Sequence, residues 1–281
     1  IVDFRDTFKQ CVIRNFIDEY MSGRTPNPCV LCNSHIKWGE LVRVADEFQC
    51  DYIATGHYAR IEERDGHVYL AQAADTKKDQ TYFLWMLTEE QLRRTIFPLG
   101  DLTKDQVRDI ARQHGYIKLA EKRESQEICF IPDNDYRAFL RANVPDYNER
   151  VRAGEYVDAH GNVLGRHEGF VNYTIGQRKG LGIALGQPAY VTHIDAVTNR
   201  VTLGTNEDLF ATQLQYQIVR ALRTVNDTAI SARIRYRSQA VPVQKIDGNC
   251  LLFAAPVWGI TPGQSIVFYQ DGLVIGGGII R

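Results

Sequence analysis

Three cysteines have the residue type and the spacing most suited to chemistry in this chain. Cys29 and Cys32 form a Cys-x-x-Cys pair within residues 23–33, and Cys129 stands within residues 125–131. Two thiols at this spacing can share one thiolate charge, exchange a disulfide or bind a metal, and a distant third thiol can act as their partner. The sequence therefore predicts either sulfur chemistry or a metal site.

The backbone that carries the cysteine pair is predicted to be an open loop. Pro26 and Pro28 restrict the chain immediately before Cys29, and proline disfavours a helix at and before its own position. A thiol on such a loop is presented to a partner rather than buried. We therefore expect Cys29 to stand before, and not within, the helix that follows.

Two metal sites remain as alternatives to thiol chemistry. A structural zinc needs four ligands, so Cys29 and Cys32 would have to recruit Cys129 and a histidine such as His35 or His57. The three cysteines alone could hold an iron–sulfur cluster with one iron left open.

Two helices are predicted on either side of the cysteine loop. The first begins near residue 3 and ends at Gly23, and the second begins at Asn33 or Ser34 and continues to about Phe48. The first is indicated by apolar residues that recur at every fourth position: Phe4, Phe8, Val12, Phe16 and Tyr20. These elements must position the cysteines.

A short apolar strand is predicted over residues 51–55, and it runs directly into Gly56 and His57. Loops at the carboxyl ends of strands in α/β sheets are common ligand sites. Beyond it, residues 58–73 are predicted to form a hairpin around an Asp-Gly turn at 65–66. A helix from Thr103 is predicted by its capping box with Gln106.

The chain changes character near residue 150. Helix and strand alternate before this point, whereas short β segments punctuated by glycine follow it, a pattern typical of small sheets and barrels. We predict an α/β fold followed by all-β structure. The predicted domains are residues 1–140 with the cysteines, a small central β domain over 141–207 and a C-terminal β-barrel over 208–281.

Composition excludes two classes of protein. No apolar run is long enough to span a membrane, and six scattered cysteines in 281 residues do not resemble a secreted disulfide scaffold. We expect a cytoplasmic protein with reactive thiols and no membrane partner.

Positive charge is concentrated in the predicted barrel, although the net charge of the chain is only −1. Residues 214–246 contain six lysines and arginines and one aspartate. Arg233, Arg235 and Arg237 alternate with apolar residues, so a strand would place the three guanidinium groups on one face about 7 Å apart. That spacing is close to a phosphate repeat and predicts a surface for a polyanion.

Six runs of residues resemble the tRNA-specific 2-thiouridylases, the MnmA or TrmU family. The resemblance spans nearly the whole chain, and the runs stand in the family's order. They are Gly-Arg-Thr-Pro-Asn-Pro at 23–28 with Cys32 and Asn33, Ala-Thr-Gly-His-Tyr at 54–58, Lys-Asp-Gln-Thr-Tyr-Phe-Leu at 78–84, Ser-Gln-Glu-Ile-Cys-Phe-Ile at 125–131, Tyr-Thr-Ile-Gly-Gln-Arg-Lys-Gly-Leu at 173–181 and Arg-Tyr-Arg at 235–237.

The resemblance implies a fold and a reaction. The first domain should be part of an adenine-nucleotide α-hydrolase-like (PP-loop) domain, and the cofactor should be ATP with magnesium. ATP would activate the C2 oxygen of the wobble uridine of tRNA as an adenylate, and sulfur carried on cysteine would displace AMP. Cys129 matches the position that receives a persulfide from a donor protein, and Cys32 matches the partner that closes a disulfide with Cys129.

The resemblance also implies binding residues. Gly56 matches an ATP contact, and Asn27, Pro28 and Cys29 match the segment that receives the extruded uridine. The other expected tRNA contacts are His57, Lys78, Asp79, Gln80, Arg235, Tyr236 and Gln264.

Two features depart from the family pattern. Many members carry aspartate where this chain has Cys29, which makes an iron–sulfur cluster with Cys29, Cys32 and Cys129 as ligands an equal alternative to the persulfide route. The family's Ser-Gly-Gly-x-Asp-Ser phosphate loop is not in this sequence, so we expect it upstream of Ile1 and expect the chain alone to bind ATP poorly. Two rivals are therefore a non-catalytic tRNA-binding protein and a different PP-loop ATP pyrophosphatase.

Overall fold

The computed structural model describes residues 1–122, 128–131 and 133–281. Residues 125–127 of the run around Cys129 lie outside the described residues. The helices are α1 (Arg5–Phe8), α2 (Arg14–Met21), α3 (Pro28–Leu31), α4 (Leu41–Glu47), α5 (Thr81–Leu84), α6 (Glu89–Arg93), α7 (Lys104–Gln113), α8 (Ile117–Glu121), α9 (Tyr136–Asn143) and α10 (Tyr147–Arg150).

The strands form three separate sheets. They are β1 (Ile53–Ala54), β2 (Arg60–Arg64), β3 (His67–Ala71), β4 (Thr95–Ile96), β5 (Gly154–Val157), β6 (Val163–His167), β7 (Tyr190–Asp195), β8 (Arg200–Gly204), β9 (Phe210–Arg220), β10 (Ser231–Arg233), β11 (Val241–Asp247), β12 (Cys250–Trp258), β13 (Ser265–Gln270) and β14 (Leu273–Ile280).

The first predicted helix is confirmed. Helices α1 and α2 are joined without a break by π-helical turns at Lys9–Ile13. Val12, Phe16 and Tyr20 of the apolar stripe are buried. Gly23 follows the helix with φ of +73°, a conformation that glycine adopts at little cost.

The cysteine pair lies inside a helix, so the predicted open loop is wrong. Helix α3 begins at Pro28 and continues through π-helical turns at Cys32–Glu40 into α4. Proline at the first helical position is favourable, because its fixed φ suits the helix and its missing N–H would have no helical partner. The second helix therefore starts about five residues earlier than predicted and ends at Glu47, near the predicted Phe48.

The α/β part has a two-stranded parallel sheet formed by β1 and β4. The predicted hairpin is confirmed as β2 and β3, with Asp65 and Gly66 both at positive φ as a tight turn requires. This hairpin does not join the parallel sheet. Instead, β3 pairs with β14 through Ala71 and Leu273, which ties the first part of the chain to the last.

The predicted β architecture is confirmed in both later parts. The middle sheet has the order β6-β5-β8-β7, with β5 and β8 parallel. The last sheet has the order β13-β10-β11-β12-β9-β14, and pairing of β13 with β14 closes these six strands into a barrel. The fold is therefore α/β followed by all-β with a C-terminal barrel.

Residues 28–47 form one continuous helical segment that carries Cys29 and Cys32, here called the cysteine helix. One core cluster joins the cysteine helix to the barrel. Val30 of α3 and Trp38 of the π-helical turns pack in the same buried cluster as Tyr82 of α5 and Val267 of β13. Burial of this kind contributes about 25 cal/mol per Å² of apolar surface. The barrel therefore supports the helix that carries Cys29 and Cys32.

Candidate active site

Cys29 and Cys32 lie on the first turns of one helix. Asn27 precedes this helix with non-helical φ and ψ of −121° and 81°. The Cys29 residue is exposed and Cys32 is partly buried, and neither is in a disulfide. Residues three apart in a helix lie on one face, so the two thiols point to the same side of the molecule.

The structure brings Cys129 to this pair. Its neighbour Phe130 packs against Phe16 of α2, with ring centroids 5.3 Å apart, while Cys129 itself is exposed. A negative charge on Cys129 raises the pKa of both Cys29 and Cys32. Thiols from remote parts of the sequence therefore lie within electrostatic reach of one another.

The two helical thiols are protonated near neutral pH. Desolvation by the surrounding protein, followed by the charges of Cys129 and Cys32, raises the pKa of Cys29 to about 11. Burial is also the main cause that raises the pKa of Cys32. Because the thiolate is the nucleophile, a nearby cation is needed to favour it.

Lys37 supplies that positive charge, and sequence reasoning missed it. Its charge opposes burial and lowers the pKa of both Cys29 and Cys32. Lys37 follows Cys32 by five residues within the π-helical turns, whose i to i+5 hydrogen bonds bring residues five apart together. An α-helical pattern places such residues on different faces, so no helical periodicity pointed to this cation.

His57 is a neutral member of the site. Lys37 Nζ lies 3.3 Å from its Nε2, and Thr55 Oγ1 lies 2.9 Å from its Nδ1. Burial, and secondly the positive charge of Lys37, lower the pKa of His57 to about 4. Since the lysine can only donate, Nε2 accepts and Nδ1 carries the proton.

Gly56 is exposed at the carboxyl end of β1. A Cβ at this position would lie 3.7 Å from Leu99 Cδ1, which is an ordinary contact, and the φ of Gly56 is not positive. Neither packing nor backbone conformation therefore requires glycine here. Close approach of a ligand to the backbone is another reason for glycine at an exposed position.

Asp79 and Gln80, within the run 78–80, form hydrogen bonds inside the protein. Asp79 is buried and accepts hydrogen bonds from Thr81 Oγ1 at 2.8 Å and Arg233 Nη1 at 3.2 Å. The Gln80 carboxamide oxygen accepts from the backbone N–H of Tyr58 at 2.9 Å. Lys78 is half-buried and also interacts with another group of the protein.

The predicted arginine face in the barrel is wrong. Strand β10 ends at Arg233, so the following residues turn instead of alternating across a sheet. Arg233 pairs with Asp79, and Arg235 donates to the carbonyl of Gly259 at 2.7 Å while lying over the ring of Trp258.

Partner groups inside the protein explain this inward direction. Burial lowers the pKa of Arg235, and carbonyl groups satisfy its guanidinium. Tyr236 packs against Phe83, with ring centroids 4.4 Å apart. Arg237 remains exposed. Only Arg237 of the three arginines is therefore exposed at the surface.

Gln264 lies beside the cysteine segment. Its Nε2 donates to the carbonyl oxygens of Thr25 at 3.0 Å and Pro26 at 2.9 Å. The side chain of Asn27 reaches the hydroxyl of Tyr82, which is 2.9 Å from the carbonyl of Ser265 in the barrel. The structure thus brings Gln264 and Asn27 together with the cysteines.

The metal-site alternatives have no direct support in the described part of the chain. Within residues 1–122, 128–131 and 133–281, no group of three or more histidine, cysteine or acidic side chains has the arrangement needed to hold a metal ion. In the same described ranges, no helix has the length and apolarity to cross a membrane.

Comparisons with known families cover the chain in three consecutive parts. Residues 1–133 match a family model described as a tRNA methyl transferase HUP domain. Residues 140–205 match a tRNA methyl transferase PRC-barrel domain, and residues 207–280 match an aminomethyltransferase beta-barrel domain. Their order agrees with the α/β part, the middle sheet and the closed barrel.

Curated relatives match over the whole chain. The tRNA-specific 2-thiouridylase MnmA of Clostridium perfringens is 47% identical over 288 residues, which cover 100% of this chain and 79% of the relative. MnmA of Amoebophilus asiaticus is 48% identical over 292 residues, covering 100% of this chain and 77% of the relative. MnmA 3 of Bacteroides fragilis is 48% identical over 290 residues, with 100% and 79% covered. Identity at this level over the full chain establishes that it belongs to the MnmA family of tRNA-specific 2-thiouridylases.

Proposed function

We propose that this protein replaces the C2 oxygen of the wobble uridine in tRNA with sulfur, using ATP and cysteine-borne sulfur. The observation that supports the proposal is the nearness of Cys129 to Cys32, since a negative charge on Cys129 contributes to the raised pKa of Cys32. Family membership supplies the substrate class. A thiol cluster suits sulfur transfer, because thiolates and persulfides are strong nucleophiles near neutral pH.

ATP, as its magnesium complex, would adenylate the C2 oxygen of the uridine. This makes the C2 oxygen a good leaving group. We assign Gly56 to the nucleotide, because neither packing nor φ accounts for glycine there. We assign Asn27, Pro28 and Cys29 to the segment that receives the extruded base. The start of α3 lies beside Cys32, so a base at this segment would meet the transferred sulfur.

In the proposed transfer, a donor protein first leaves a sulfane sulfur on Cys129 as a persulfide. The terminal sulfur bonds to C2, and AMP leaves with the former C2 oxygen. The Cys32 thiolate attacks Cys129 Sγ, so the S–S bond breaks and the transferred sulfur keeps the electron pair. The products are 2-thiouridine and a Cys32–Cys129 disulfide, which an external dithiol reduces before the next turnover.

The neutral and cationic side chains have distinct proposed tasks. Lys37 stabilises the Cys32 thiolate and, through its contact with His57, stays near the thiols. We assign direct tRNA contacts to His57, Lys78, Gln80 and Tyr236. Because the side chains of Asp79, Arg235 and Gln264 are bonded within the protein, these three would act by fixing the surface that meets RNA.

The cytoplasm is the proposed location of the reaction, since it holds both tRNA and a pool that keeps thiols reduced.

Replacement of the two reacting cysteines tests the proposal. Cys32→Ser or Cys129→Ser should reduce 2-thiouridine formation to below about 1% of wild type, because serine is a far weaker nucleophile and cannot carry sulfane sulfur. Affinity for tRNA should change by less than about twofold, since the serine side chain keeps the local shape. The measurement is nucleoside mass spectrometry after incubation with tRNA, ATP and a persulfide donor.

Cys250→Ser is the matched control, because Cys250 is also exposed but begins strand β12 of the barrel. It should retain full activity. Thiolation that survives in Cys129→Ser would contradict the assignment, and absence of thiolation in wild type would favour a non-catalytic tRNA-binding protein. Release of AMP without any need for tRNA would favour a different ATP pyrophosphatase.

A further inference from the structure

A tight turn at the edge of the barrel is hydrogen-bonded to the chain just before the cysteine helix. In Thr261-Pro-Gly-Gln264, the Gln264 N–H donates to the Thr261 carbonyl at 3.2 Å. Pro262 occupies the second position and Gly263 the third, with φ of +90°. Proline and then a residue at positive φ define a type II turn, so this sequence specifies the turn locally.

Three hydrogen bonds cross from this turn to Thr25 and Pro26. The Thr25 N–H donates to the Pro262 carbonyl at 2.9 Å. Both hydrogens of the Gln264 carboxamide have acceptors, the carbonyl oxygens of Thr25 at 3.0 Å and Pro26 at 2.9 Å. Because both neighbours are acceptors only, the nitrogen and not the oxygen of Gln264 must face them.

Gly263 allows the close approach that these bonds need. A Cβ at this position would lie 2.7 Å from the Thr25 carbonyl oxygen and 2.8 Å from Glu19 Oε2. The Glu19 carboxylate is held by Arg24, through bonds of 2.7 and 2.8 Å. The turn therefore fits against a fixed surface and not against a mobile side chain.

Thr25 and Pro26 immediately precede the segment that carries Cys29 and Cys32. Pro26 and Pro28 have no N–H, so the backbone between them has little hydrogen bonding of its own. Asn27 is tied to Tyr82, and Pro28 starts the helix that carries Cys29 and Cys32. The direction in which this helix starts thus depends on how the carbonyls of Thr25 and Pro26 are held.

We propose that Gln264 is a positioning residue that holds the start of the cysteine helix through Thr25 and Pro26. Its consequence for catalysis rests on the proposed sulfur transfer, whereas its consequence for the cysteines does not. Reacting atoms must be held to within about 1 Å for efficient transfer, and small displacements cost large factors in rate. Loss of the carboxamide donors should therefore lower kcat more than it lowers affinity for tRNA.

Gln264→Met tests this role, since methionine is similar in length, uncharged and unable to donate. We expect kcat for 2-thiouridine formation to fall about tenfold while the Kd for tRNA changes by less than about twofold. In the protein without tRNA or ATP, alkylation of the partly buried Cys32 by iodoacetamide should accelerate about fivefold or more, because the loosened helix start exposes the thiol. Peptide mass spectrometry resolves the rate at each cysteine.

Gln213→Met is the matched control, because Gln213 is an exposed glutamine on β9 of the same barrel. It should leave kcat, Kd and the Cys32 alkylation rate unchanged. Gly263→Ala provides a second perturbation of the same three bonds, through its contact with the Thr25 carbonyl, and should accelerate Cys32 alkylation as well.

Two outcomes would overturn the proposal. A raised Kd for tRNA with unchanged kcat and unchanged Cys32 alkylation would make Gln264 an RNA contact alone. Unchanged alkylation in both Gln264→Met and Gly263→Ala would show that the turn does not hold the cysteine helix. If the wild-type protein forms no 2-thiouridine, the proposed reaction fails, and the alkylation rates still decide whether the turn positions Cys32.

Discussion

At the scale of single residues, the site depends on the positive charge of Lys37, which lies among side chains that are uncharged near neutral pH. Lys37 lies 3.3 Å from His57 Nε2 and influences both Cys29 and Cys32. A lysine beside thiols lowers the cost of forming a thiolate. The same charge helps to keep His57 neutral. Lys37 is therefore the charged member of this contacting pair, and His57 is the neutral member.

The depressed pKa of His57 makes a prediction about stability. The folded protein holds His57 with a pKa of about 4, compared with 6.5 in the absence of the fold. Between these values the unfolded chain binds more protons, so the free energy of unfolding falls as pH falls from 6.5 toward 4. His57→Gln should make the loss between pH 7 and 4.5 smaller by roughly 2 kcal/mol.

Urea unfolding at a series of pH values measures this effect. His114→Gln is the control, because His114 is exposed at the end of α7, and its pH dependence should match that of wild type. An unchanged slope in His57→Gln would mean that His57 is not held neutral by the fold.

At the scale of elements, a buried ion pair joins the segment before α5 to strand β10. The side chains of Asp79 and Arg233 are only 1% and 13% exposed. Breaking such a pair leaves a charge buried without its partner, which costs about 3–5 kcal/mol. Asp79→Asn should therefore lower the free energy of unfolding by roughly that amount, as measured by urea unfolding.

The exposed pair of Lys245 and Asp247 serves for comparison, with side chains 66% and 75% exposed. Lys245→Met should change the free energy of unfolding by less than about 1 kcal/mol. Equal effects of the two substitutions would show that the Asp79 pair does not hold the α/β part to the barrel.

Local sequence rules predicted the elements whose determinants are close together in sequence. The first helix follows from its apolar stripe, the hairpin from Asp65 and Gly66, and α7 from the capping box of Thr103 and Gln106, all of which are present. Each of these signals lies within a few residues of the element that it specifies.

The parts that could not be predicted depend on contacts between distant residues. The position of Lys37 beside the cysteines requires a π-helical register, which has no simple apolar period. The inward direction of Arg235 follows from carbonyls at Ile175 and Gly259. The proline at 28 was ambiguous, because proline both ends one segment and favours the first position of the next helix.

At the scale of the whole molecule, the barrel has two tasks in this account. It contacts the cysteine helix and the residues before it through the shared core and Gln264, and in the proposed function it offers exposed positive charge to tRNA. Arg237 is exposed, whereas Arg233 and Arg235 are bonded within the protein. The electrostatic contribution from this turn should therefore come from Arg237.

The salt dependence of tRNA binding tests whether Arg237 supplies the positive charge of this turn. Arg237→Ala should weaken binding and reduce the slope of log K against log salt by roughly 0.7–0.9, the value for one phosphate contact. The free energy of unfolding should stay within about 0.5 kcal/mol of wild type. Arg200→Ala, in β8 of the middle sheet and exposed, is the control. An unaltered slope in Arg237→Ala would remove this turn from the RNA surface.

In the proposed reaction, Cys32 and Cys129 act together on one transferred sulfur. The most direct test is a single turnover of protein preloaded with sulfane sulfur, with tRNA and ATP but no reductant, followed by peptide mapping without reduction. We expect one peptide linked by a Cys32–Cys129 disulfide for each 2-thiouridine formed. Formation of 2-thiouridine while Cys32 stays a free thiol would contradict it.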